Sequence, residues 1–190
     1  MKFKVHPVPA LLLSASFLLS GCDSPDLSTV TEGAIQGDAL DGPIKNGIIE
    51  LRDANYVLVN TGRTTETGSY DINIPSNATL PLTISITGGE DLVTNHPLGF
   101  SLNSLITKNL LNASDRTINI NTYSTLILNA HQLFPNHDAG DIEQATANIM
   151  KAISFGLDPD IDPITTPISK DNVANFIKSN QALIEFIKRL

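Results

Sequence analysis

A strict alternation of apolar and polar residues through the middle of the chain constrains the fold most. A β-strand places successive side chains on opposite faces, so a period of two predicts strands with one face on a core and the other in water. Ile49 and Leu51 show this pattern, and the segment from Tyr56 to Val59 continues it. The clearest apolar positions are Tyr70, Ile72, Ile74, Leu80, Leu82, Ile84 and Ile86. Short strands at this spacing predict an antiparallel β-sandwich.

The segment between residues 90 and 121 has a weaker pattern. Leu98, Phe100 and Leu102 alternate, and residues 117–121 form a second β-like run. We expect two strands here, joined around residues 112–115. Pro81 lies inside one alternating run and cannot donate a backbone hydrogen bond, so we expect it at a sheet edge or a bulge.

The last third of the chain changes to a helical period. Apolar residues at helical spacing predict a first helix over residues 123–134 and a second helix that begins at Asp138. Gly156 suits a left-handed cap after the second helix. A third helix is expected to be capped by Ser169 and to continue to Leu190. The sequence therefore predicts an α+β fold, with an antiparallel β-sandwich over residues 33–121 and a small helical subdomain over residues 122–190.

The beginning of the chain is typical of an export signal. Lys2 and Lys4 precede a mainly apolar stretch over residues 10–19, which is shorter than the ~20 residues that a membrane-spanning helix needs. Leu19-Ser20-Gly21-Cys22 then resembles a bacterial lipobox. The resemblance implies a lipoprotein signal peptide over residues 1–21, a diacylglycerol on the thiol of Cys22 and a polar tether over residues 22–32. Lipid chains on Cys22 would contribute about 0.8 kcal/mol per buried CH₂ to membrane binding.

Two segments of the predicted sandwich carry a second resemblance. Pro43-Ile44-Lys45-Asn46-Gly47-Ile48-Ile49-Glu50-Leu51 is followed by a threonine-rich stretch and by Gly68-Ser69-Tyr70 at the start of an alternating strand. This order is similar to that of carboxypeptidase regulatory-like domains. The resemblance implies a prealbumin-like sandwich, as an alternative to an immunoglobulin-like one, and a structural, adhesive or positioning role. It implies no peptidase activity, because the chain has no His-x-x-Glu motif.

Three aspartates form the main candidate metal site. Asp158, Asp160 and Asp162 alternate along one loop, and carboxylate oxygens are the ligands that calcium prefers. The loop departs from an EF-hand, because Pro163 stands where glycine is needed and Ser169 stands where the bidentate glutamate belongs. A solvated loop with capping aspartates is the alternative. A zinc site at His131, His137 and Asp138 is not expected, because Pro135 prevents a shared helical face.

The composition and the lack of two catalytic motifs argue against nucleic-acid binding and against the common serine hydrolases. A net charge of −8 argues against a nucleic-acid partner, and the chain has no Gly-x-Ser-x-Gly elbow and no Ser-x-x-Lys pair. We therefore expect a non-enzymatic binding, adhesion or assembly module without a required cofactor. It would be anchored to a membrane of the bacterial cell envelope, facing the periplasm or the cell surface, with an envelope protein or glycan as partner. A calcium-stabilised surface protein and a hydrolase with an unrecognised nucleophile remain alternatives.

Overall fold

A computed structural model describes residues 32–133 and 140–189. The fold is α+β, as predicted, with sheets over residues 33–106 followed by C-terminal helices. The strands are β1 (Gly33–Leu40), β2 (Ile44–Lys45), β3 (Ile48–Arg52), β4 (Leu58–Arg63), β5 (Ser69–Ile74), β6 (Leu82–Thr87), β7 (Glu90–Asp91), β8 (His96–Pro97), β9 (Leu102–Ile106) and β10 (Ile120–Asn121). The helices are α1 (Lys108–Asn112), α2 (Thr122–Leu133), α3 (Gly140–Ile153) and α4 (Val173–Ile187).

The largest sheet has four antiparallel strands in the order β4-β3-β6-β9. Its central strands follow the predicted alternation: Ile84 and Ile86 of β6 are buried, and so are Ile49 and Leu51 of β3. The register pairs Ile49 with Ile86 and Leu51 with Ile84, which puts these apolar side chains on one face. The period-two pattern of β3, β5 and β6 is therefore confirmed.

A second sheet has the order β10-β1-β5, and a small third sheet joins β2, β7 and β8. β1 is antiparallel to β5 but parallel to β10, where Ala39 pairs with Ile120. The prediction of purely antiparallel strands is wrong at this pair. The long connection from β9 through α1 returns the chain to the side of β1 in the same direction, which a parallel pair requires.

Both larger sheets and the helices contribute to one hydrophobic cluster. Ile35 of β1, Ile72 of β5 and Ile84 of β6 belong to it, and so do Leu128 of α2 and Ile142 of α3. β9 is buried on both faces, because α2 packs on it from outside. A smaller cluster forms around Tyr123 and Phe176, between α2 and α4.

Three local predictions were wrong. Pro81 is at neither an edge nor a bulge: it directly precedes the central strand β6, whose ladder begins at Leu82, so no ladder bond is lost. Tyr56 lies in the turn before β4, at φ 61°, and not in the strand. The region after β9 forms the short helix α1, where the Thr107 side chain accepts from the amide of Leu110 at 3.4 Å, and the second expected strand is reduced to β10.

The three longer helices agree with the predicted pattern, with differences at their ends. α4 begins at Val173 after Asn172, not at Ser169, because the Ser169 carbonyl accepts from the amides of Asn172 and Val173 in a preceding turn. α4 ends at Ile187. Gly156 has φ +93° and lies in the turn after α3. Asp138 and Leu190 lie outside the described residues, and within the described ranges no helix is long and apolar enough to cross a membrane.

The strands define two ends of the molecule. At the first end, which we call the Gly33 end, Gly33 pairs with Ile74 and Arg52 pairs with Leu58. At the opposite end, the Leu40 end, lie the turns after β1, β6 and β7. The chain therefore enters the fold at the Gly33 end and runs away from it along β1.

Candidate functional site

The predicted lipidation site, Cys22, lies outside the described residues. Glu32 is the first residue that the structure describes, and β1 begins at Gly33. Cys22 is therefore separated by only a short stretch of sequence from the Gly33 end. The structure shows where the chain that carries Cys22 enters the fold, which is at the Gly33 end.

The aspartates of the predicted calcium site serve local turns. The Asp158 carboxylate accepts from the amide of Asp160 at 3.0 Å. The Asp162 carboxylate accepts from the amide of Ile164 at 2.8 Å and from the Thr165 hydroxyl at 2.9 Å. Over residues 32–133 and 140–189, no group of three or more His, Cys, Asp or Glu side chains is arranged to hold a metal ion. The calcium site stays a prediction, and the contacts are those of capping aspartates.

Two buried asparagines fix the aspartate loop to the sheet. The Asn121 side-chain amide donates to the Pro163 carbonyl at 2.7 Å, and that of Asn119 donates to the Thr166 carbonyl at 2.7 Å. The Asn119 side chain also accepts from the amide of Asp38 in β1, at 3.2 Å. Both asparagines are fully buried. The alternation Ile118-Asn119-Ile120-Asn121 predicts a strand with its asparagines in water, so it gives no sign that both asparagines are buried and hydrogen-bonded.

A groove of about 430 Å³ lies at the Gly33 end, between the four-stranded sheet and α2. Leu105 and Leu128 contribute apolar surface, while Thr83 and His131 contribute hydrogen-bonding groups. Tyr56 lies at its rim. Such a mixture of apolar surface and a few polar groups is typical of a binding site. Sequence reasoning did not find the groove, because its lining residues come from four separate segments that the fold brings together.

A pair of carboxylates lies at the Leu40 end. Burial, and to a smaller extent the nearby Asp91 carboxylate, raise the pKa of the Asp41 carboxyl to about 6, while Lys188 opposes both effects. Asp91 is buried and accepts from the amide of Val93 at 2.8 Å and from the Thr94 hydroxyl at 3.0 Å. One oxygen of Asp41 is buried without a hydrogen-bond partner among the described residues. Because the pKa of Asp41 is raised, we expect the stability of the fold to depend on pH through this residue.

Two buried tyrosines hold structural positions. The Tyr70 hydroxyl donates to the carbonyl of Ile118, and burial raises the pKa of Tyr70 far above its ordinary value. The Tyr123 hydroxyl lies against Ser179 and against the Ser154 carbonyl, at 2.7 Å from the latter. Burial also raises the pKa of Tyr123. Both hydroxyls stay protonated and serve as hydrogen-bonding groups between elements.

No protein-family model matches the chain, and no curated protein matches it. The class of protein therefore has to be argued from the residues and from the geometry of the described part of the chain.

Proposed function

We propose that the chain is a lipid-anchored protein of the bacterial cell envelope whose folded body is a non-enzymatic binding module. The observation that carries this proposal is the order of features before β1. Two lysines, a short apolar stretch and Leu19-Ser20-Gly21-Cys22 occur in the sequence that lipoprotein export uses. Lipid chains on Cys22 hold the protein at a membrane, and residues 23–32 connect that anchor to the Gly33 end.

The body of the protein is proposed to be a β-sandwich of the prealbumin-like kind, similar to a carboxypeptidase regulatory-like domain, with an immunoglobulin-like arrangement as the alternative. The shared core of the two larger sheets supports this proposal: Ile35 and Ile72 from one sheet belong to the same cluster as Ile49 and Ile84 from the other. The helices then cover the outer face of β9 and complete the groove.

The groove is the proposed binding surface for an envelope protein or glycan. Thr83 and His131 present polar groups beside Leu105 and Leu128, so a ligand with both sugar or peptide hydrogen-bonding groups and apolar surface fits its chemistry. This proposal is independent of the calcium hypothesis, because Asp158, Asp160 and Asp162 are not among the residues that line the groove.

Mass spectrometry of the protein from cells tests the anchor. We expect the wild-type chain in the membrane fraction, beginning at Cys22 and carrying the mass of a diacylglycerol. Cys22→Ala should stay unlipidated and keep residues 1–21, whereas the neighbouring Ser24→Ala should behave as the wild type. A wild-type chain that is soluble and retains its first 21 residues would contradict the proposal.

Titration with purified disaccharide-peptide fragments of peptidoglycan tests the groove, because these fragments carry both sugar and peptide. Thr83→Trp fills the groove and should abolish binding. Thr61→Trp changes an exposed threonine of β4 outside the groove and should leave binding unchanged. Equal loss in both variants, or the same affinity in Thr83→Trp as in the wild type, would exclude the groove as the binding surface.

A further inference from the structure

Three consecutive apolar side chains are exposed at the turn between β3 and β4. Tyr56 is 74% exposed, Val57 is 56% exposed and Leu58 is 45% exposed. We call these three residues the apolar tip. Single exposed apolar residues are common on protein surfaces, but adjacent ones at the end of a turn are typical of a surface that contacts something.

The turn holds the apolar tip in a defined shape. The Asp53 carboxylate accepts from the amides of Asn55 and Val57, at 2.8 and 3.0 Å. The amide of Asp53 donates to the Val57 carbonyl at 3.0 Å, and the Arg52 guanidinium donates to the Tyr56 carbonyl at 3.2 Å. These bonds keep Tyr56 at φ 61°, with its ring directed outward. The turn is thus ordered before it meets a partner.

The apolar tip lies beside the point where the chain enters the fold. Gly33 pairs with Ile74 at the end of β5, and the Asn60 side chain of β4 donates to the Asn73 carbonyl of β5 at 2.7 Å. Leu58 and Gly33 therefore lie at the same end of the molecule, on neighbouring sheets. Residues 23–32 reach at most about 33–36 Å when fully extended, so a lipid on Cys22 keeps this end within about that distance of the bilayer.

Cations and anions both lie near Gly33. The Arg116 guanidinium lies directly against Gly33, where an added Cβ would be 2.0 Å from its Nη1 atom. Lys108 is exposed at the start of α1, which follows the end of β9 at the same end of the molecule. Glu32, Asp71 and Asp115 are exposed nearby, and Asp53 is engaged with the amides of its own turn. The end as a whole is therefore not cationic. Arg116 and Lys108 can pair with headgroup phosphates, but membrane contact would come mainly from the apolar side chains that enter the interface.

We propose that the apolar tip is a membrane contact: in the lipid-anchored protein, Tyr56, Val57 and Leu58 enter the headgroup region of the bilayer that holds Cys22. This inference depends on the lipid anchor proposed above. Tyrosine suits the position because its ring is apolar and its hydroxyl remains in water, as in the aromatic belts of membrane proteins. The Leu40 end then lies away from the membrane. The groove, which Tyr56 also lines, opens beside the membrane surface, so a ligand of the groove reaches it there.

The chain has no tryptophan, so a single introduced indole reports its own surroundings. The test uses lipidated Tyr56→Trp in vesicles of phosphatidylethanolamine and phosphatidylglycerol, with and without lipids brominated in the upper acyl chain. We expect a blue-shifted emission that brominated lipids quench by about half or more, because interfacial apolar groups lie about 5–10 Å into the bilayer. Val57→Trp should behave in the same way and covers the case in which position 56 does not accept tryptophan.

Phe100→Trp is the matched control, since Phe100 is an exposed aromatic residue near the Leu40 end. Its emission should be the same with and without brominated lipid. Protein that carries lipid on Cys22, but whose tryptophan at positions 56 and 57 is no more quenched than that at position 100, would overturn the membrane contact and leave the anchor intact. Protein without lipid on Cys22 would overturn both proposals.

Discussion

At the scale of single residues, several residues have backbone conformations with positive φ, which L-residues rarely adopt. Tyr56 occupies the left-handed region, which costs an L-residue about 1–2 kcal/mol. The hydrogen bonds of Asp53 and Arg52 in the same turn offset this cost. Gly88 and Gly89, after β6, are also at positive φ, but they differ in the space that surrounds them.

Replacing Gly89 with alanine should destabilise the fold more than replacing Gly88. Both substitutions place a Cβ at positive φ, but a Cβ on Gly89 would lie 2.6 Å from the Lys45 carbonyl oxygen, whereas one on Gly88 meets nothing within 4 Å. We expect Gly88→Ala to lower the free energy of unfolding by about 1–2 kcal/mol and Gly89→Ala by a further ~1–3 kcal/mol. Urea denaturation measures both, and equal losses would contradict the close approach of the β2 backbone to Gly89.

Asp41 should make stability depend on pH. Its pKa is about 6 in the folded chain against an ordinary value of 3.8, so the folded state holds the proton more tightly and stability falls as the pH rises between these two values. Asp41→Asn should therefore be more stable than the wild type at neutral pH, with a difference that shrinks below pH 6. Lys188→Met should move the pH range over which stability falls to higher pH, because Lys188 lowers the pKa of Asp41. Thermal unfolding at a series of pH values tests this. A difference in melting temperature between Asp41→Asn and the wild type that stays the same at every pH would contradict it.

At the scale of elements, the residue pattern predicted the regular parts and missed the irregular ones. β3, β5 and β6 follow from their alternation, and α2 and α3 follow from apolar residues at helical spacing. α1 has five residues, too few for a helical period to be visible, and its cap at Thr107 is a local bond. β10 pairs with β1 at residues 120 and 121, and a single further bridge joins Thr117 to Gln36, so the β-like run over residues 117–121 forms a shorter strand than its sequence predicts.

A pair of hydroxyls adds to the apolar contact between α2 and α4. The Tyr123 hydroxyl lies against the Ser179 hydroxyl, and both lie against the Ser154 carbonyl after α3. Tyr123→Phe and Ser179→Ala should each cost about 1–3 kcal/mol, because each leaves a buried polar group with fewer partners. The double variant should lose less than the two single losses combined, with a coupling of at least ~0.5 kcal/mol. Strictly additive losses in a double-mutant cycle would show that the pair does not act together.

The aspartate loop should be held by its own hydrogen bonds and not by a metal ion. Asp162→Ala removes acceptors from the Ile164 amide and the Thr165 hydroxyl, and it should lower the free energy of unfolding by about 1 kcal/mol with or without calcium. Adding EDTA to the wild type should leave its melting temperature unchanged. A fall in melting temperature with EDTA that calcium restores, and that Asp162→Ala abolishes, would instead establish the calcium site.

At the scale of the whole molecule, sheets and helices share one hydrophobic cluster. Leu128 of α2 and Ile142 of α3 lie in the same cluster as the strands, across the boundary between residues 121 and 122 that the change of period indicates. The sequence pattern shows where one kind of element replaces another, but not which surfaces the elements cover. The groove could not be predicted from the sequence for the same reason, because Thr83, Leu105 and His131 come together only when α2 packs on β9.

The chain should therefore unfold in a single cooperative transition. Leu128→Ala removes a buried side chain of α2 and should cost about 2–5 kcal/mol. The loss should appear equally in the amide exchange of β6 and of α2, because both belong to the same cluster. Exchange that increases in α2 alone would mean that the helices form a separate folding unit.

Because β1 pairs with β10, which lies far along the chain, this part of the sheet cannot form until β10 has been synthesised. During synthesis the chain grows from its N-terminus at about 5–20 residues per second, so about 4–16 s separate the appearance of Leu40 from that of Ile120. Throughout that interval, the edge of β1 that pairs with β10 in the folded protein has no hydrogen-bonding partner there. A nascent chain paused within this window would present that edge of β1 to any unfolded polypeptide nearby.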